Sequence, residues 1–117
     1  MVDRDLMFLG HILSSIDAIE EFSEGLTREE LGSNRMRQGA IVREIEIIGE
    51  AVKNISNQTR ESYCEVEWSG IAKARDKMIH HYFDIDLNIV WEIIQGDLPK
   101  LKKQLIEIKS SIENKEK

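Results

Sequence analysis

The sequence predicts an all-α protein, an antiparallel four-helix bundle with one or two short extra helical turns. Three observations lead there. Apolar residues recur at three- and four-residue steps along nearly the whole chain, the spacing that gathers them on one helix face. No segment alternates with period two for long, which speaks against a sheet. The connections between the periodic stretches are short, as antiparallel neighbours require.

Leu6, Leu9, Leu13, Ile16, Ile19 and Phe22 form the first stripe, predicting a helix from about Asp3 to Ser23 that Gly25 ends. Thr27 with Glu30 has capping-box form and starts a short helical turn. Ser33 or Asn34 can cap a second long helix. Its stripe is Met36, Ala40, Ile41, Ile45, Ile48, Val52 and Ile55, ending near Asn54–Asn57. Thr59 to Glu67 is polar and irregular, with room for one helical turn. Trp68–Phe83 reads as a third helix, with Trp68, Ile71, Ala72, Met78 and Ile79 apolar. Asp84-Ile85-Asp86 marks a turn, and Asp86 is a candidate N-cap. The final helix carries Leu87, Val90, Trp91, Ile94, Leu98, Leu101, Leu105, Ile108 and Ile112. Pro99 lies inside that stripe. Proline lacks an N–H and crowds the carbonyl four residues back, so a kink or short break near Asp97 is expected.

At 117 residues the chain is expected to be a single domain with a real core. Apolar residues at 41% and charged residues at 32% give a soluble globular balance. No apolar run approaches the ~20 residues of a membrane span, and the charged N-terminus lacks signal-peptide order. The single cysteine, Cys64, excludes an internal disulfide and a cysteine metal cluster, so a cytoplasmic location is the simplest expectation. The net charge of −6 is uneven: the first 31 residues hold eight acids against Arg4 and Arg28. A global basic patch for nucleic acid is absent. RNA binding would rely on local groups such as Lys73, Arg75, Lys77 and the Lys100, Lys102 and Lys103 cluster.

Chemistry concentrates in Arg75-Asp76-Lys77-Met78-Ile79-His80-His81-Tyr82. Arginine holds anionic oxygens with a planar fork of donors, and histidine exchanges protons near neutral pH. Such a pair suits RNA cleavage without a metal. The imidazole would act on the ribose 2′-hydroxyl or protonate the leaving oxygen, and the guanidinium would stabilise phosphate charge. DNA, lacking the 2′-hydroxyl, would resist. Asp76 would orient His80 or hold Arg75. In a regular helix Tyr82 shares a face with Arg75, whereas His80 points ~140° away from it. Either the helix unwinds near His80, or two copies of the motif face each other across a two-fold axis. The bland readings are a solvated Arg-Asp-Lys helix face and a His-His-Tyr that packs a helix end. A metal site is disfavoured, because adjacent His80 and His81 diverge by ~100° on a helix. Gly49, disfavoured inside a helix, implies close helix packing. Glu50 faces either a cleft or solvent. Trp68 and Trp91 are expected to be core or dimer anchors, His81 exposed, and Cys64 inert.

Arg75, four residues, His80, one residue, Tyr82 matches the Arg-x4-His-x-Tyr signature of HepT-like toxins of the HEPN superfamily, which the chain resembles. Ile47-Ile48-Gly49-Glu50-Ala51-Val52-Lys53-Asn54-Ile55-Ser56 resembles that family's second-helix signature, and Trp68-Ser69-Gly70-Ile71 the start of its motif helix. Tyr82-Phe83-Asp84-Ile85-Asp86, Val90-Trp91-Glu92-Ile93-Ile94 and Asp97-Leu98-Pro99 resemble the family's segments C-terminal to that helix. The likeness covers nearly the whole chain. It implies a HEPN-like bundle that forms a homodimer, with the motifs lining a shared cleft. It implies a metal-independent, cofactor-free endoribonuclease, the toxin of a type VII toxin–antitoxin pair. Arg75 and His80 then take the catalytic positions and Asp76 a supporting one. Tyr82 takes the position at which an MntA-like minimal nucleotidyltransferase attaches AMP. The rival function is a non-catalytic helical subunit that presents nucleotide or substrate to such a nucleotidyltransferase. A third is a purely structural dimerisation domain.

Overall fold

Local signals in the chain set most of its boundaries. The computed structural model describes the backbone of residues 2–81 and 84–116, and the side chains of residues 3–79 and 84–115. In order, the elements are α1 (Val2–Phe22), α2 (Arg28–Ser33), α3 (Arg35–Lys53), α4 (Asn57–Ser62), α5 (Trp68–Met78), β1 (Ile79–His81), β2 (Asp84–Ile85), α6 (Leu87–Glu92), a π turn (Ile93–Asp97) and α7 (Leu98–Glu116). α1, α3, α5 and the rod from α6 to α7 form the expected antiparallel four-helix bundle, with α2 and α4 as the short extra turns. At 1.5 Å per residue the rod is roughly 45 Å long, which matches the 48 Å long axis of the molecule.

The capping residues act as their types dictate. Thr27 and Glu30 complete a reciprocal capping box: Glu30 N–H donates to Thr27 Oγ1 at 3.1 Å, and Thr27 N–H to Glu30 Oε1 at 3.3 Å. Asn34 Oδ1 accepts from Arg37 N–H at 3.1 Å and starts α3. Asp86 Oδ1 accepts from Asn88 and Ile89 N–H at 3.0 and 3.3 Å and starts α6. Near Pro99 the rod relaxes into a π turn, in which Leu98 N–H reaches the carbonyl of Ile93, five residues back. The looser turn accommodates a ring that an α-helix would set against the Gln95 carbonyl.

The core is one cluster, with Leu9, Ile12, Ile16 and Ile19 of α1 packed against Ile41, Ile45, Ile48 and Val52 of α3, and the rod closing it through Val90, Leu101 and Leu105. Burying each such side chain fully stabilises the fold by about 1.5–3 kcal/mol before chain entropy is counted. Met36, expected in the α3 stripe, is 82% exposed. At ~100° per residue it lies ~140° round the helix from Ile41, outside the buried face.

Asp5 is buried among these helices. It accepts from Ser56 N–H at 2.9 Å, from Ser56 Oγ at 2.6 Å and from Thr59 Oγ1, tying the start of α1 to the turn between α3 and α4. Burial alone would raise its pKa, but these hydrogen bonds to the charged form outweigh burial and hold it below the ordinary carboxylate value.

The third helix departs from expectation. It stops at Met78 rather than Phe83, and the chain continues as a short ribbon in which β1 pairs antiparallel with β2. Ile79, β-branched and followed by imidazole and aromatic residues, begins a segment that fits a pleated strand better than a helix. Ile79 and Ile85 pair across the ribbon and both pack on the core. The Met78 carbonyl, orphaned by the helix end, accepts from Asp86 N–H at 2.8 Å.

Candidate functional site

α5 presents Arg75, and its two buried ends fix how. Trp68 is buried at the start, its Nε1–H donating to the Tyr63 carbonyl at 3.1 Å, and Met78 is fully buried at the end. Both the expected core role of Trp68 and the close packing expected at Gly49 are observed. A Cβ on Gly49 would lie 3.3 Å from Arg75 Cγ, so bare α3 backbone lies under the arginine stem. The arginine head stays accessible, its side chain 35% exposed. Arg75 Nη1 donates to Asp76 Oδ1 at 3.2 Å. Arg75 Nη2 lies 3.9 Å from Glu46 Oε2. Asp76 therefore bonds Arg75, while the His80 side chain, its other expected partner, lies outside the described residues.

Glu46 was not singled out by the sequence, because one acid on a charged helix resembles any other. A signal existed: Glu46 precedes Gly49 by three residues and shares its face, so it borders whatever packs on that glycine. Glu50, the acid singled out instead, is exposed and contributes its backbone carbonyl to Asn54 Nδ2 at 2.9 Å.

His80 lies in β1, beyond the helix end. Ile79 pairs with Ile85 and His81 with Asp84, so the strand holds one residue more than its partner across this step, a bulge at His80. Of the two ways out of the ~140° divergence, the first, unwinding near His80, is observed in the backbone. The side chains of His80 and His81, and the whole of Tyr82 and Phe83, lie outside the described residues. The helical argument that put Tyr82 on the face of Arg75 no longer applies, since the helix ends first.

The charge around Arg75 is mixed. Glu46 and Asp76 give the cluster a formal charge of −1. Lys73 and Lys77 on α5 are exposed. Lys102 is committed elsewhere: its Nζ lies 2.6 Å from Glu20 and 3.3 Å from Asp17 on α1, and these hydrogen bonds raise its pKa. The lysine cluster is thus partly spent on joining α7 to α1. A cavity of about 150 Å³ lies between α3, α5 and the π turn, lined by Ile45, Ile48, Ile71, Ala74, Ile93 and Leu98 among others. Arg75 is not among the residues that line it, and its part-exposed fork can take two oxygens of a phosphate. Among the described residues no three His, Cys, Asp or Glu side chains are grouped to hold a metal ion. No helix among them is long and apolar enough to cross a membrane.

Comparisons with known proteins agree on kinship. A family model described as "Ribonuclease HepT-like" matches residues 12–108. A Methanocaldococcus jannaschii protein named "Gamma-glutamylcyclotransferase and putative RNase MJ0434" is 39% identical over 92% of this chain, which spans about half (48%) of that protein's length. "Putative RNase TTE0752" of Caldanaerobacter subterraneus is 42% identical, over 86% of this chain and 90% of its own. "Probable ribonuclease HepT" of Thermococcus cleftensis is 39% identical, over 81% and 86% respectively. No solved structure matches. With the matched region running from α1 into α7, and the Arg-x4-His-x-Tyr motif inside it, the chain belongs to the ribonuclease HepT-like family.

Proposed function

We propose that this protein is a metal-independent endoribonuclease, the toxin of a type VII toxin–antitoxin pair, working as a homodimer whose two motifs share one cleft. The observation that carries the reading is the half-exposed Arg75 guanidinium, braced on α3 at the point where α5 gives way to the ribbon bearing His80. In a member of a ribonuclease HepT-like family, those two residues are the natural pair for phosphodiester cleavage.

Arg75 grips non-bridging oxygens of the scissile phosphate and takes up the charge that grows on them. The ribose 2′-oxygen attacks the adjacent phosphorus and the 5′-oxygen leaves, giving a 2′,3′-cyclic phosphate and a 5′-hydroxyl. His80 takes the proton from the 2′-hydroxyl or delivers one to the leaving oxygen, and a second copy of the motif supplies the complementary transfer. The part-exposed head of Arg75 is compatible with a cleft completed by that second copy. Tyr82 is the site at which an MntA-like nucleotidyltransferase attaches AMP. The added phosphate competes for Arg75 and closes the site to RNA by the logic of any new anion beside an arginine.

The test is RNA cleavage by the purified protein in chelator, beside Arg75→Ala and His80→Ala. Each change is expected to lower kcat at least 100-fold, the scale of lost acid–base or electrostatic help. Cleavage that survives both variants, or absent from the parent, refutes the reading. RNA bound but left intact would favour the non-catalytic subunit of a nucleotidyltransferase complex.

A further inference from the structure

Glycine is disfavoured in a helix interior, so the buried Gly49, one turn before the end of α3, calls for a reason. Gly10, Gly39 and Gly96 would each receive a Cβ into open space. At Gly49 that atom would meet Arg75 Cγ at 3.3 Å, Cβ at 3.4 Å and Cδ at 3.7 Å. The arginine stem therefore lies flat on α3 backbone. One turn earlier on the same face, Glu46 Oε2 is 3.9 Å from Arg75 Nη2, while Asp76 Oδ1 meets Nη1 at 3.2 Å.

We infer that Gly49 and Glu46 are positioning residues for Arg75: the glycine is a groove for the stem, and the glutamate aims the guanidinium until an RNA phosphate displaces it. The inference deepens the ribonuclease reading and rests on Arg75 as the group that grips phosphate. A free arginine samples many rotamers and loses them on binding. One laid in a groove has lost most of them beforehand, so less is given up when phosphate arrives. The Glu46 pair is long and partly exposed, hence weak. A phosphate offers two charge-assisted bonds in one plane, so the exchange runs toward RNA.

The experiment compares kcat and KM for RNA cleavage, and thermal unfolding midpoints, among the parent, Gly49→Ala, Glu46→Gln, Arg75→Ala and the Gly49→Ala/Arg75→Ala double variant. Gly49→Ala pushes the stem by a few tenths of an ångström. Misplacement by 1 Å costs about 100-fold, so kcat is expected to fall about 5- to 10-fold by the same scaling. The midpoint should hold or rise, because alanine favours the helix. Glu46→Gln removes a charge that repels phosphate and also removes the aim, so KM and kcat should fall together, each about 3-fold. Arg75→Ala deletes Cγ and Cδ, so Gly49→Ala should raise the midpoint more in that background than in the parent.

Gly49→Ala with parental kcat, or with the same midpoint effect in both backgrounds, overturns the groove. A midpoint that drops in step with kcat at unchanged KM assigns Gly49 to packing alone and overturns it too. Glu46→Gln with both constants unmoved overturns the aiming role. If the parent cuts no RNA, the ribonuclease reading fails, and the midpoint comparison still decides whether Gly49 seats Arg75.

Discussion

Replacing Asp5 tests whether a single carboxylate anchors the start of α1. It is 2% exposed and accepts three hydrogen bonds, from Ser56 N–H, Ser56 Oγ and Thr59 Oγ1. In Asp5→Ala the two hydroxyls can turn toward each other, since their oxygens already lie 3.3 Å apart. The Ser56 N–H cannot turn. An orphaned donor costs about 1–3 kcal/mol when buried, toward the lower end for the part-buried Ser56 N–H, and hydrogen bonds to a charged acceptor are worth about 1.5–3 kcal/mol each. Together these give a loss of about 3 kcal/mol at pH 7, or a drop on the order of 10 °C in Tm. Asp5→Asn keeps the size and one acceptor but sets an amide donor against other donors, and is expected to lose about 2 kcal/mol. The acid response follows from the lowered pKa. A carboxyl whose folded pKa lies below its unfolded value, about 3.9, contributes stability that is fully present above that value. The contribution is lost as pH falls through the folded pKa. Urea unfolding of the parent and Asp5→Asn at pH 7 and pH 3 isolates it: the gap between them should narrow at pH 3. A gap that stays constant, or an Asp5→Ala loss under about 1 kcal/mol, would show that the anchor stabilises little.

Two further predictions concern the candidate site. Arg75→Lys keeps the charge and a stem for Gly49 but replaces a two-pronged grip with a point charge. Loss of one charge-assisted bond of about 1.5–3 kcal/mol should lower kcat roughly 10- to 100-fold in a cleavage assay, and a parental rate would deny Arg75 its phosphate contact. Tyr82→Phe should retain cleavage yet escape silencing by the nucleotidyltransferase and ATP. Intact-mass analysis should find AMP on the parent only, and silencing of the phenylalanine variant would remove Tyr82 from that role.

Capping chemistry made most boundaries readable in advance. Thr27 with Glu30, Asn34 and Asp86 each bond the backbone their side chains suit, and local reach is enough for that. The end of α5 was harder. No glycine or proline marks it, and the residues after Met78 are apolar or aromatic at steps that also fit a helix face. What stops the helix is pairing with Asp84-Ile85, a partner supplied by the folded chain rather than by the segment itself. Met36 misled for a different reason: it is apolar and near the stripe in sequence, but its angle round α3 excludes it from the core. At the site, Arg75 was readable because it stands in one short motif with His80 and Tyr82. Glu46 was not, because its importance comes from the neighbour that Gly49 admits.

The helix end at Met78 and the charge around Arg75 constrain function jointly. A regular helix would turn His80 ~140° away from Arg75, and the ribbon removes that geometry by starting one residue after Met78. Meanwhile Glu46 and Asp76 offset the charge of Arg75, with Lys73 and Lys77 exposed on the same helix and the net −6 of the chain held in its first 31 residues. Under the proposed ribonuclease reading, so balanced a surface gives RNA little long-range attraction to one copy. The affinity has to come from short-range, directional contacts, the kind a rigid fork supplies when its stem is held. In the proposed homodimer a second copy facing the first would add another fork and another imidazole. On that reading, a held arginine and a second copy would answer the same electrostatic difficulty.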